Sequence, residues 1–217
     1  MIMFNEELTL QLSSVRLIAD LVIPDNAEGL VIFSHGSGSS RLSTRNRFVA
    51  DIIQDRGIAT LLVDLLTPEE DSIVENRFDI DLLTGRLVQV TEWALKYPKT
   101  KELEILYFGA STGAASALRA AAYFGNTISA VVSRGGRPDL AMEILPIVKT
   151  PTLLIVGSLD RHVMEMNRQA FTYLHCEKEL TIITGASHLF EEPGMLENVA
   201  HHTSDWYEKH LTKIYSS

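Results

Sequence analysis

Gly109-Ala110-Ser111-Thr112-Gly113 follows the apolar run Ile105-Leu106-Tyr107-Phe108 and opens an alanine-rich stretch from Ala114 to Phe124. The order is a strand, a very sharp turn with a serine at its apex, then a helix. Such a turn brings backbones close together, and glycine fits the positions two before and two after the serine because it carries no side chain. The serine is held in a strained conformation with its hydroxyl above the sheet. The helix start turns free N–H groups and a partial positive charge toward the same point. A bare G-x-S-x-G arises by chance in about one chain in fifteen of this length, given glycine and serine at roughly 7% each. Its setting between strand and helix, and the partners downstream, give it weight.

Outward from this turn, apolar segments and helical patterns alternate. Short runs at 30–34, 58–64, 103–108, 128–133, 152–156 and 180–184 read as strands, several of them apolar enough to be covered on both faces. Helical patterns fall between them at 44–56, with Phe48, Ile52 and Ile53 near one face, at 78–97, 114–124 and 163–174, and a last one runs over 196–214. Segments 6–12 and 15–23 have no helix between them and read as an antiparallel edge. The expected fold is α/β: a mostly parallel sheet of about eight strands with helices on both faces, in one domain over residues 1–217. Ligands of such sheets bind at the carboxyl ends of the strands. The loops 35–41, 109–113, 133–139, 157–162 and 184–192 meet there.

Composition narrows the function classes. The net charge of −9 lacks the basic stripe a nucleic-acid surface needs. The single cysteine, Cys176, excludes an internal disulfide and reads as an inert buried thiol. The first ten residues carry Glu6 and Glu7 and no basic stretch, so they do not read as a secretory signal, and no apolar run is long enough to span a membrane. A cytoplasmic location is expected.

A serine hydroxyl needs a base to take its proton and an acid to orient that base. Of seven histidines, His188 follows the last strand, where its ring can hang over the carboxyl edge. His35 starts a glycine-rich loop and suits a backbone-fixing role; His162 is less well placed. Asp160 ends a buried strand and is the expected acid. Asp139 is the rival, although Pro138-Asp139 also reads as a first helical turn, where an acid favours the dipole. An oxyanion needs two amide donors. Thr112, directly after the serine, supplies one, and Ser37 in His35-Gly36-Ser37-Gly38 the other, unless that loop is only a turn.

The order Ser111, Asp160, His188 is that of the α/β-hydrolase fold. With Phe33-Ser34-His35-Gly36-Ser37-Gly38-Ser39-Ser40-Arg41, Gly157-Ser158-Leu159-Asp160 and Gly185-Ala186-Ser187-His188-Leu189-Phe190, the chain resembles the dienelactone hydrolase-like branch of that superfamily from residue 30 to about 195. The resemblance implies nucleophile, acid and base at Ser111, Asp160 and His188. Dienelactone hydrolases carry cysteine where this chain has Ser111, which points away from dienelactone itself as substrate.

The expected activity is hydrolysis of small carboxylic esters through an acyl-enzyme, with no metal or organic cofactor. A lactone or thioester hydrolase with the same residues is the alternative, and a non-catalytic binding protein on this fold the reading from another class. The 134–151 connection has room for about one short helix, which predicts a minimal lid and an open pocket. Arg41 or Arg134 is expected to hold an anionic substrate group in a forked geometry, unless these arginines pair with the chain's own acids. Trp93 is read as core and Trp206 as a surface contact.

Overall fold

The structure, a computed structural model, describes residues 2–212. Eight strands form one sheet: β1 (Ile2–Gln11), β2 (Arg16–Pro24), β3 (Gly29–Ser34), β4 (Ala59–Val63), β5 (Glu104–Ala110), β6 (Ile128–Arg134), β7 (Thr152–Gly157) and β8 (Lys178–Ile183). Their order is β1-β2-β4-β3-β5-β6-β7-β8. β1 pairs antiparallel with β2, and β2 antiparallel with β4; every later pairing is parallel. Among the described residues the helices are α1 (Thr44–Asp55), α2 (Pro68–Asp71), α3 (Ile80–Ala94), α4 (Gly113–Phe124), α5 (Arg161–Tyr173) and α6 (Met195–His210).

The period-2 pleat divides the central strands between two cores. In β5, Ile105 and Tyr107 join one cluster with Leu83 and Leu87 of α3, Ala117 and Leu118 of α4 and Ala170 of α5. Leu106 and Phe108 join the other, with Val49 and Ile53 of α1 and Val199 and Tyr207 of α6. Helices therefore cover both faces, which is why these strands read as unbroken apolar runs.

The structure departs from the sequence expectation in four places. The buried face of α1 is Asn46, Val49, Ala50 and Ile53, whereas Phe48 is 42% exposed. Trp206 is 5% exposed and belongs to the second cluster, so it is core, not a surface contact. The link between β4 and α3 holds α2 and a 3-10 turn, Val74–Phe78, so α3 begins only at Ile80, with Asp79 capping Leu82 N–H. Thr67 and Glu70 cap α2 reciprocally, with proline at its start. The expected short helix over 134–151 is a 3-10 helix, Pro138–Ile147, broken at Ala141. Among the described residues no helix is long and apolar enough to cross a membrane.

Candidate active site

Ser111 sits at φ 51, in the left-handed region that a non-glycine residue occupies only under constraint. The constraint is visible on either side. A Cβ on Gly109 would lie 2.5 Å from Ala114 Cα, and one on Gly113 would strike the carbonyls of Ser34 and His35 at the end of β3. The first glycine lets the chain fold back on its own strand; the second lets α4 start against the neighbouring one. Ser111 N–H donates to Arg134 O at 3.2 Å, and Arg137 N–H donates to Ser111 O at 3.0 Å. The turn is thus clasped to the end of β6.

Asp160 and His188 come together from the ends of β7 and β8. A Cβ on Gly157 would collide with the carbonyls of Ala186 and Ser187, so the two loops lie in direct contact there. Leu159 N–H donates to Ala186 O at 3.0 Å and Gly185 N–H to Ser158 Oγ at 2.8 Å. Asp160 occupies the cap position of α5 but its side chain caps nothing; Oδ2 lies 2.6 Å from His188 Nδ1 instead. Asp139, the rival acid, holds Arg137 through two bonds of 2.8 Å. His162 is exposed on α5, and His201 and His210 lie near Glu197 and Glu177.

Ser111 and His188 line one cavity of about 240 Å³ with Gly36, Ser37, Ser39, Ser43, Arg45, Ala110, Arg134 and Leu189. No hydrogen bond joins the two side chains among the described residues. Larger concavities exist, such as one of about 550 Å³ against Asp20 and Asp51, but they hold none of Ser111, Asp160 or His188.

At the expected oxyanion donors the structure adds a contact that sequence reasoning missed. Thr112 N–H makes none of the backbone hydrogen bonds that tie the turn. Ser37 N–H is not free: it donates to Thr112 Oγ1 at 2.9 Å. His35 fixes this loop from below. Its Nε2 accepts Leu65 N–H at 3.1 Å, so Nδ1 carries the proton and donates to Gly36 O at 3.0 Å. Burial lowers its pKa, which keeps the ring neutral.

The two arginines expected to bind substrate part company. Arg41 is not brought to the cavity: Glu7, Asp20 and Asp64 hold its guanidinium at 2.8, 2.8 and 3.2 Å. Arg134 does line the cavity, buried, with Nη2 donating to Asn46 Oδ1 at 3.1 Å. Cys176 is half-buried near Thr152 with its pKa raised by burial, remote from Ser111 in sequence and sheet position.

Strand order, two-faced helical cover and the strained serine after the fifth strand are the plan of the α/β hydrolases. Within that class the profile of the dienelactone hydrolase family matches residues 19–213, and the chain belongs to this family of hydrolases. A crystal structure of a dienelactone hydrolase from Anabaena variabilis is 52% identical and superposes with a TM-score of 0.92, over 96% of this chain and 99% of that one. Est1E from Butyrivibrio proteoclasticus shares the fold at 17% identity, with a TM-score of 0.82 over 95% and 99% of the two chains. A Mycobacterium tuberculosis protein provisionally named a phosphoribosyl transferase is 51% identical over 207 residues, or 95% of this chain. The chain spans about half of that relative, 47% of its length.

Proposed function

We propose that the protein hydrolyses small carboxylic esters with Ser111 as nucleophile, His188 as general base and Asp160 as its orienting acid. The observation that carries this reading is the 2.6 Å Asp160–His188 bond at the rim of the cavity that also holds Ser111. With Nδ1–H given to Asp160, Nε2 is the basic nitrogen and takes the serine proton as Oγ attacks the carbonyl carbon. The resulting oxyanion draws on Thr112 N–H and on Ser37 N–H, the latter shared with Thr112 Oγ1. His188 returns the proton to the departing alcohol, and water repeats the two steps to release the acid. The open cavity and the short 135–151 connection favour compact acyl groups. Lactones and thioesters enter the same steps with a different leaving group.

The test is a fluorophosphonate probe together with a panel of p-nitrophenyl esters, lactones and thioesters. The wild type is expected to be labelled and to turn over short esters, and Ser111→Ala to do neither. Labelling that survives in Ser111→Ala, or a wild type inert to probe and panel alike, overturns the proposal.

A further inference from the structure

We propose that the cavity beside Ser111 binds a phosphate group of the substrate through Arg134, Arg45 and the amino end of α1, so that the substrate is a phosphate-bearing ester. The ester half of this statement rests on the reading of Ser111 above; the phosphate half stands on separate observations.

Arg134 is the first. It is 7% exposed, its Nε is buried with no partner, and its guanidinium makes one hydrogen bond, to the neutral amide of Asn46. No carboxylate among the described residues forms an ion pair with it. Arg86, as deeply buried, reaches Glu70 instead, and Arg41, Arg47, Arg119 and Arg137 also reach carboxylates. A chain with 28 acidic residues against 19 basic ones has abundant partners to offer. Burying an unpaired charge is costly, so its place here asks for a ligand. Burial, with Arg45 nearby, pushes the Arg134 pKa down to about 10; the site is short of negative charge.

The surroundings repeat the same deficit. Arg45 lines the cavity, and its ion pair with exposed Glu191 is long, at 3.4 Å. Ser43, the cap of α1, lines it too, and the first turn of α1 contains no acidic residue. Ser43 Oγ takes the Asn46 N–H at 3.3 Å, and no acidic side chain of the first turn offsets the positive end of this 12-residue helix beside the cavity. Asn46, in that same turn, holds Arg134 toward it. Ser37 and Ser39 add hydroxyl donors.

Charge and shape select phosphate over carboxylate. Two guanidiniums and a helix end, less the Glu191 carboxylate on Arg45, leave about one and a half positive charges, which a phosphate group matches and a single carboxylate does not. Donors arrive from β6, from α1 and from the 37–43 loop, three directions that suit the terminal oxygens of a tetrahedral group rather than the two coplanar oxygens of a carboxylate.

Calorimetric titration with inorganic phosphate and with acetate, at fixed ionic strength, tests the site without turnover. Phosphate is expected to bind saturably, at least about tenfold more tightly than acetate, and to slow fluorophosphonate labelling of Ser111. Arg134→Met and Arg45→Gln are each expected to weaken it by at least about tenfold, the scale of a charged hydrogen bond. Removing a buried unpaired charge relieves desolvation, so Arg134→Met is expected to melt no lower than wild type. If that variant fails to fold, Arg45→Gln carries the test alone. Absent phosphate binding, binding unchanged in the folded variants, or acetate held as tightly as phosphate overturns the inference. Labelling without phosphate binding sinks this inference alone; arginine-dependent phosphate binding in a protein the probe never labels sinks the ester reading alone.

Discussion

The backbone N–H of Ser37 donates to Thr112 Oγ1 at 2.9 Å, joining two residues 75 positions apart in the chain. Both residues were expected to contribute amides to one oxyanion site, and the threonine hydroxyl fixes the spacing between them. Thr112 caps no amide of its own helix, so its side chain is available for this role.

Thr112→Val keeps the shape and removes the acceptor. The stranded Ser37 N–H is expected to lower stability by about 1 kcal/mol. The loosened loop is expected to lower kcat for p-nitrophenyl acetate by about tenfold, less than the roughly 10²–10³ of deleting an oxyanion donor outright. Thr112→Ser is expected to restore most of both. Steady-state kinetics and urea unfolding read the two effects, and a valine variant that matches wild type in kcat removes Thr112 from the positioning of Ser37.

Mutation is expected to separate Asp160 from Asp139. If Asp160 orients His188 as proposed, Asp160→Asn keeps the ring contact but offers the wrong tautomer, and kcat is expected to fall by about 10⁴. Asp139 is engaged with Arg137, and Asp139→Asn is expected to stay within about twofold of wild type. Equal losses in the two variants leave Asp160 without its special place.

His35 predicts an acid-sensitive fold. Its folded pKa is lowered by burial, so below about pH 6.5 the unfolded chain binds a proton that the folded chain refuses. Its contribution to stability is complete above that pH and is lost as pH falls toward the folded value. The urea midpoint of wild type is expected to drop between about pH 7.5 and 5.5 by more than that of His35→Gln, which has nothing to titrate there. Parallel midpoints in the two proteins exclude His35 as the source.

Arg41 is a structural hub in the described fold, holding three carboxylates together. Arg41→Met is expected to lower stability by about 2 kcal/mol, a buried-pair penalty reduced by partial exposure. The ratio of kcat/KM between anionic and neutral esters is expected not to move. A changed ratio returns Arg41 to the list of substrate contacts.

The fold was legible in the sequence because each central strand is short, apolar throughout and followed by a helical pattern. The turn at Ser111 was legible because glycines at 109 and 113 are dictated by backbone contacts. Asp160 and His188 were readable as strand-end residues. What escaped were contacts set by tertiary packing. Phe48 lies on an apolar stripe, yet the rotation of α1 buries Asn46 instead, whose amide oxygen accepts a hydrogen bond from Arg134. Arg41 and Arg134 look alike in sequence, and only the position of β2 brings Asp20 to one and not the other. The 64–79 excursion carried a signal, Thr67-Pro68-Glu69-Glu70, whose capping box marks a helix start. The Ser37–Thr112 bond had none, since nothing in either segment records its distance from the other.

The clasp between Ser111 and the end of β6 makes the site a ruler. Ser111 N–H meets Arg134 O, and Arg137 N–H meets Ser111 O, so hydroxyl and guanidinium hang from one rigid frame. If the phosphate proposal holds, a molecule held at Arg134 is expected to present its ester at a distance set by these two bonds, and homologues one methylene longer or shorter are expected to react more slowly.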